Sequence, residues 1–345
     1  MNSNSMYSPK SLFSEQPLFE REAKIIKRYR QIAKRICAGE IDLIPIIVGP
    51  CSIHSIEGAL EYAKRIKDLY QEVSETLFPI MRVYVEKPRT TIGWKGLLYD
   101  PFLNGTNDIA SGIRAVRYLL TQLARLGIPT ATEFVNPLTA LYFKDLVTWG
   151  FIGARTSASQ IHREFASSLT FPVGFKNDLN GNLHVAINSI IGARSSHTYL
   201  SLNTDGLPAL IKSHGNPFTH LVLRGSDNHT NFDSESIEEA ISIQGKSGLT
   251  NKVLIDCAHG NSKKNPGRQK EVFFEVSEQI SSGNTHILGL MLESYLEEGN
   301  QPFEHGASIS PTRSITDPCI SWEDTETLLR WLNNSLKKTQ AMLLV

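Results

Sequence analysis

Eight apolar runs punctuate this chain, and each meets side chains that do chemistry. IPIIVG (44–49) leads into Pro50-Cys51-Ser52, MRVYV (81–85) into Glu86-Lys87-Pro88-Arg89-Thr90, and PTATEF (129–134) carries Glu133. FIGA (151–154) stops at Arg155-Thr156 and PVGF (172–175) at Lys176-Asn177. LVL (221–223) precedes Arg224-Gly225-Ser226, VLID (253–256) precedes Cys257-Ala258-His259, and LGLML (288–292) precedes Glu293-Ser294. Most runs are separated by helix-length stretches, at 56–70, 108–126, 138–149, 157–169, 234–244, 269–282 and 322–337. Strand–helix alternation of this kind requires parallel strands with right-handed crossovers. Chemistry at one end of eight successive strands is the linear trace of an α/β fold, the (β/α)₈ TIM barrel, whose active site is built from loops at the C-terminal strand ends.

The rest of the chain adds to that core without competing with it. Residues 1–15 are polar and read as a mobile arm, and 17–39 read as a basic amphipathic helix stopped by Gly39. Together they make an N-terminal extension, 1–40, on a catalytic barrel, 41–345. A further segment, SSHTYLSLNTDGLPAL (195–210), reads as an extra β-hairpin between the fifth and sixth barrel strands. Ser234 and Ser321 stand in N-cap position for the helices that follow. Thirty-five basic against thirty-five acidic residues leave no net charge, so nucleic acid and anionic membrane are not expected as partners. No run has signal-peptide or transmembrane character, and the four cysteines lack C-x-x-C spacing, so free thiols and a cytoplasmic location are expected.

Two constellations emerge once the strands are closed into a ring. The first is cationic: Arg82, Lys87, Arg89, Lys95, Arg155, Lys176 and Arg224 are dispersed in sequence yet converge on one mouth. Burying several cations together is prohibitive without anions, which points to phosphate or carboxylate groups on a substrate; scattered surface ion pairs are the competing reading. The second is a candidate metal site, Cys51, His259, Glu293 and Asp317. Its mixed S, N and O donors suit Mn²⁺, Fe²⁺, Co²⁺ or Zn²⁺ rather than Mg²⁺ or Ca²⁺. A Schiff base on Lys87 or Lys176 is a further chemistry that barrel lysines can support.

The ordered strings GPCSIHS (49–55), RVYVEKPRTTIGWKGLLYDP (82–101), GARTSASQIHRE (153–164), PVGFKND (172–178), LRGS (223–226), IDCAHGNSKK (255–264), ESYLEEGNQ (293–301) and SITDPCISWEDT (314–325) are specific as a set. They resemble the signature segments of the 3-deoxy-D-arabino-heptulosonate 7-phosphate (DAHP) synthase family, microbial feedback-regulated type with a short N-terminal extension. The resemblance implies a metal-dependent, aldol-type condensation of phosphoenolpyruvate with D-erythrose 4-phosphate, releasing phosphate, as the first step of the shikimate pathway. It implies one divalent metal ion on Cys51, His259, Glu293 and Asp317. Arg82, Lys87, Arg155, Lys176 and Arg224 would grip phosphoenolpyruvate. Arg89 and Thr90 would hold the sugar phosphate, and Glu133 would orient a water. Lys87, Cys51 and His259 are the residues assigned to catalysis. An aromatic amino-acid effector and a homodimer or homotetramer are also implied. The segment 134–140 and Thr170 depart from the usual effector-pocket residues, so the identity of the effector does not carry over. The Lys87-Pro88-Arg89-Thr90 string argues against the octulosonate phosphate synthases, which use arabinose 5-phosphate. Retention of every ligand and cation argues against a catalytically silent regulatory homologue.

Overall fold

The computed structural model describes residues 6–249, 251–304 and 306–343. Eight strands close into a barrel: β1 (Ile44–Gly49), β2 (Leu77–Arg82), β3 (Thr130–Glu133), β4 (Trp149–Ile152), β5 (Val173–Lys176), β8 (Thr219–Leu223), β9 (Val253–Asp256) and β10 (Ile287–Glu293). All neighbours are parallel, and β1 completes the ring by pairing β10, with Ile46 opposite Leu290 and Gly49 opposite Glu293. The expected hairpin is present outside the ring as β6 (Thr198–Leu202) and β7 (Pro208–Lys212), antiparallel to each other.

Alternation along each strand divides the core into two layers. Ile46 and Val48 join the larger apolar cluster, whereas Ile47 between them joins a smaller one with Phe78, Ile80, Ala131, Phe151, Val222, Leu254 and Met291. A cluster fed from strands around the whole ring is the barrel interior; the other lies between strands and helices. Burial on both faces explains why the strands read as unbroken apolar runs. The helix Glu20–Ala38 sends Ala33 and Ile36 into the interior cluster, and Tyr29 packs on Phe78. Phe78 and Trp149 lie at strand beginnings, so this helix covers the N-terminal mouth and leaves the C-terminal mouth for the site.

The structure corrects five sequence expectations. The second strand is Leu77–Arg82, earlier than MRVYV, so Lys87 and Arg89 sit on a long loop beyond its end. No helix spans 138–149: a short turn at Pro137–Ala140 and another at Lys144–Leu146 are followed by β4, which Trp149 opens. Arg30 donates to the carbonyls of Lys144, Asp145 and Val147, and Arg117 to that of Tyr142, so these acceptors are satisfied from outside. A helix not anticipated, Leu183–Arg194, is capped by the Asn182 side chain accepting from His184 N–H. The polar arm contains a helix, Pro9–Glu15, fastened by the Lys10 N–H to Thr204 and by Glu15 to Arg114; its first five residues lie outside the described residues. Ser321 caps its helix by accepting from Asp324 N–H, while Asp233 rather than Ser234 caps the helix Ser234–Lys246.

Candidate active site

The loops after the barrel strands enclose a cavity of about 390 Å³ at the C-terminal mouth. Lys87, Arg89, Thr90, Glu133, Arg155, Lys176, Arg224, His259 and Asp317 all line it. Residues as distant in sequence as Lys87 and Asp317 need no further element to meet, because the parallel closure brings the strand ends and the loops that follow them to one rim.

The cationic side chains differ in how they are held. Lys176 ends β5, is nearly fully buried, and pairs with Asp256 at 2.7 Å. Lys264 pairs with Asp317 at 3.1 Å. Among the described residues, no carboxylate lies within ion-pairing distance of Arg89, Arg155 or Arg224. Arg155 Nε donates instead to Thr90 Oγ1 at 2.9 Å, and Arg89 Nε to the Trp94 carbonyl at 2.7 Å. Arg224 is 5% exposed, and its backbone N–H is fixed by Asn177 Oδ1 at 2.9 Å. Burial draws the Arg224 guanidinium below its ordinary value, against the pull of Asp256 and Asp227. A wall with three guanidinium groups lacking carboxylate partners is a receptor for a multiply charged anion.

Two sequence candidates stand elsewhere. Arg82 is fully buried beneath the cavity rather than on its wall: it stacks on Tyr84 at 3.7 Å, donates to the Pro50 carbonyl, and pairs with Glu293 at 2.7 Å. Lys95 lies 5.8 Å from the Tyr99 ring and contributes its backbone carbonyl to the Lys87 N–H. Glu133 is the acidic strand end facing the cations. Its Oε1 is buried without a hydrogen-bond partner, and a Cβ on Gly153 would collide with it. The glycine leaves that oxygen the space it needs.

The candidate metal ligands partly converge. Donor atoms of Cys51, Glu293 and Asp317 all lie within 4.8 Å of one another. His259 stands beside this trio, its Nε2 3.6 Å from Glu293 Oε1 and its Nδ1 2.9 Å from Asp256 Oδ2. Each member of the trio faces a protein cation: Lys87 Nζ donates to Cys51 Sγ at 3.0 Å, Arg82 pairs with Glu293, and Lys264 with Asp317. Burial, reinforced by Glu293 and opposed by Lys87, pushes the Cys51 thiol up to about 11. Burial also pushes Asp317 up, but Lys87, Lys264 and His259 outweigh it and hold the carboxyl at about 2. Burial lowers the Lys87 ammonium, yet Cys51, Glu293 and Asp317 more than offset this and raise it above the usual lysine range. Burial lowers the His259 imidazole despite Asp256. A soft thiol, an imidazole and two carboxylates fit a divalent transition ion, and the surrounding cations mark the concentration of negative charge that such an ion would neutralise. Asp256, Asp227 and Lys264 belong to this site and were given no role from sequence, although Asp256 ends the VLID run and Lys264 ends the IDCAHGNSKK string.

A second cavity of about 260 Å³ lies between the helix Gln160–Ser167 and the hairpin. Leu141, Lys144, Thr170, Tyr199, Ser201, Ile211 and Ser213 line it, and Tyr199 donates to Ser168 Oγ at 2.9 Å.

The chain matches the DAHP synthetase I family over residues 22–330. It is 42% identical to the phospho-2-dehydro-3-deoxyheptonate aldolase of Haemophilus influenzae over 95% of this chain and 91% of that protein. It is 43% identical to the Tyr-sensitive form from Salmonella typhimurium (96% and 93%) and 42% identical to the Trp-sensitive form from Shigella flexneri (95% and 94%). The solved structure of phospho-2-dehydro-3-deoxyheptonate aldolase from Francisella tularensis superposes with a TM-score of 0.95 at 38% identity, covering 97% of this chain and 98% of that one. Fold, site and sequence agree, and the chain belongs to the DAHP synthetase I family.

Proposed function

We propose that the cavity condenses phosphoenolpyruvate with erythrose 4-phosphate to give DAHP and inorganic phosphate. The observation that carries this is the trio of arginines without carboxylate partners, Arg89, Arg155 and Arg224, on a wall that also holds Lys87 and Lys176. Arg155, Lys176 and Arg224 bind the phosphate and carboxylate of phosphoenolpyruvate, with Lys87 between them and the thiol cluster. Arg89 and Thr90, one loop away, take the sugar phosphate; the Arg155–Thr90 hydrogen bond joins the two anion sites. Arg82 acts from below, by fixing Glu293. Cys51, His259, Glu293 and Asp317 hold one divalent ion, which when bound would supply Lewis-acid polarisation of the aldehyde.

C3 of phosphoenolpyruvate forms a bond to the aldehyde carbon, and the aldehyde oxygen takes a proton from the Lys87 ammonium. Glu133 accepts a hydrogen bond from a water and orients it toward C2. As water adds there and the C2–O bond to phosphate breaks, C2 becomes the ketone carbon, one water proton returns to Lys87 and the other leaves on the phosphate. Fixed cations around the developing charge supply most of the stabilisation. Both candidate Schiff-base lysines are tied up as ammonium groups, Lys176 by Asp256 and Lys87 by the thiol cluster, which disfavours a neutral nucleophilic amine.

Phosphate release from phosphoenolpyruvate should require erythrose 4-phosphate, stop with EDTA and return with Mn²⁺. Equal rates with arabinose 5-phosphate, or indifference to EDTA together with a borohydride-trapped lysine adduct, would overturn the reading. The cavity beside the hairpin is proposed as the aromatic effector site, since Thr170 lines it and the curated relatives include Tyr- and Trp-sensitive forms. Ile211→Trp fills it with an indole and should raise the inhibitory concentration of whichever of Phe, Tyr or Trp acts by about tenfold or more, an effect of about 1.4 kcal/mol, with uninhibited turnover unchanged. A homodimer or homotetramer is supported by Leu200 and Leu210, paired across the hairpin and both exposed. The division into a 1–40 extension and a 41–345 barrel is part of the same proposal. Among the described residues no helix is long and apolar enough to cross a membrane.

A further inference from the structure

We infer that Asp256 is the positioning residue of this centre: one buried carboxylate oxygen orients His259 toward the metal ligands and anchors Lys176, tying the two halves of the site together. The inference rests on the proposal that His259 joins Cys51, Glu293 and Asp317 around a divalent ion.

Asp256 is the last residue of β9, and the strand direction delivers it to the C-terminal mouth. It is fully buried. Its Oδ1 accepts the Ala258 N–H at 3.0 Å, which fixes the carboxylate plane against its own loop. Its Oδ2 lies 2.7 Å from Lys176 Nζ on β5 and 2.9 Å from His259 Nδ1. His259 adopts φ 52 as it opens the turn His259–Ser262, a left-handed conformation that folds the ring back over the strand end. The opposite ring nitrogen, Nε2, then faces Glu293 at 3.6 Å.

An imidazole whose Nδ1 faces a carboxylate places its proton there and presents the Nε2 lone pair to a metal. Lys176 supplies the full positive charge that a buried carboxylate needs, so the histidine is required only as a hydrogen-bond donor. The Nδ1 contact has the distance of a hydrogen bond, but no hydrogen bond of good alignment is formed at Nδ1. Such active-site bonds are often poorly aligned before ligands bind. Asp256 therefore serves two partners from one oxygen: Lys176, which the proposed function assigns to substrate, and His259, which it assigns to the metal.

The experiment measures Mn²⁺ binding by the electron paramagnetic resonance signal of the free ion, on full-length protein stripped of metal. Asp256→Asn keeps the shape but offers an amide donor as readily as an acceptor, releasing the ring to the other tautomer. It should bind Mn²⁺ about 10–100-fold more weakly than wild type. Wild type that binds no Mn²⁺ would remove the metal reading and this inference with it. Wild type that binds while Asp256→Asn matches it to within about threefold would overturn this inference alone, since that is far short of the loss an orienting partner commands. A second measurement avoids any dependence on the variant folding: ¹⁵N shifts of metal-free wild type should show His259 protonated at Nδ1, and protonation at Nε2 would overturn the assignment. A purely structural Asp256–Lys176 pair would move neither readout.

Discussion

Replacing Lys87 by alanine should lower kcat/KM for the condensation by about 10³-fold or more, because a proton donor and a fixed cation are lost together. Lys87 lies where the two proposed anion sites and the thiol cluster meet: it lines the cavity and donates to Cys51 Sγ at 3.0 Å. The negative side chains around it favour the ammonium despite burial, which is why the proposed role is proton donor to the developing alkoxide. Truncation also leaves Cys51 without its hydrogen-bond partner, so Mn²⁺ content is measured alongside the rate. A variant with full metal content and a rate within about threefold of wild type would exclude Lys87 from the proton transfer, since general acid catalysis is worth at least about 10²-fold.

The barrel was legible because parallel strands buried on both faces leave unbroken apolar runs, and the polar residues that end them mark the C-terminal mouth. Lys176, Arg224 and Glu293 were found this way, each at or next to its strand's last residue. Arg82 shows where that reading stops. It too ends a strand, but its chain points inward onto Tyr84 and Glu293, and nothing local distinguishes a buried arginine beneath a cavity from one on its wall. The stretch 138–149 misled for a different reason. Its apolar residues have near-helical spacing, yet Arg30 and Arg117, distant in sequence, claim its carbonyls and draw it into separate turns. Asp256 was passed over because it sits within an apolar run rather than after one. Its role depends on β5, which lies beyond β8 in the ring, bringing Lys176 within 2.7 Å, and that is tertiary information. The candidate metal ligands were legible as residue types, Cys51, His259 and Glu293 at or just past strand ends and Asp317 in the loop after β10, while the offset of His259 from the other three goes with its left-handed turn.

Exchanging the sulfur of Cys51 for oxygen separates the metal centre from the anion sites. Cys51→Ser should weaken Mn²⁺ binding by about 10–100-fold, with a larger loss for the more thiophilic Zn²⁺. In the metal-free protein the thiol is held up at about 11, first by burial, so binding an ion must displace its proton. A serine hydroxyl gives up its proton far less readily and remains a weak neutral ligand. The side chain is fully buried, and the Cys51 N–H points to Cys319 Sγ at 3.4 Å, a contact the substitution leaves intact. The fold is therefore expected to persist, and excess Mn²⁺ should restore part of the activity. Arg155 and Arg224 are unchanged by the substitution, so phosphoenolpyruvate should still bind the metal-free variant as it binds metal-free wild type. Titration of both proteins with Mn²⁺, followed by activity at each step, makes the comparison. Equal Mn²⁺ affinity in wild type and Cys51→Ser would remove the thiol from the ligand set, leaving the carboxylates and the histidine as its remaining members.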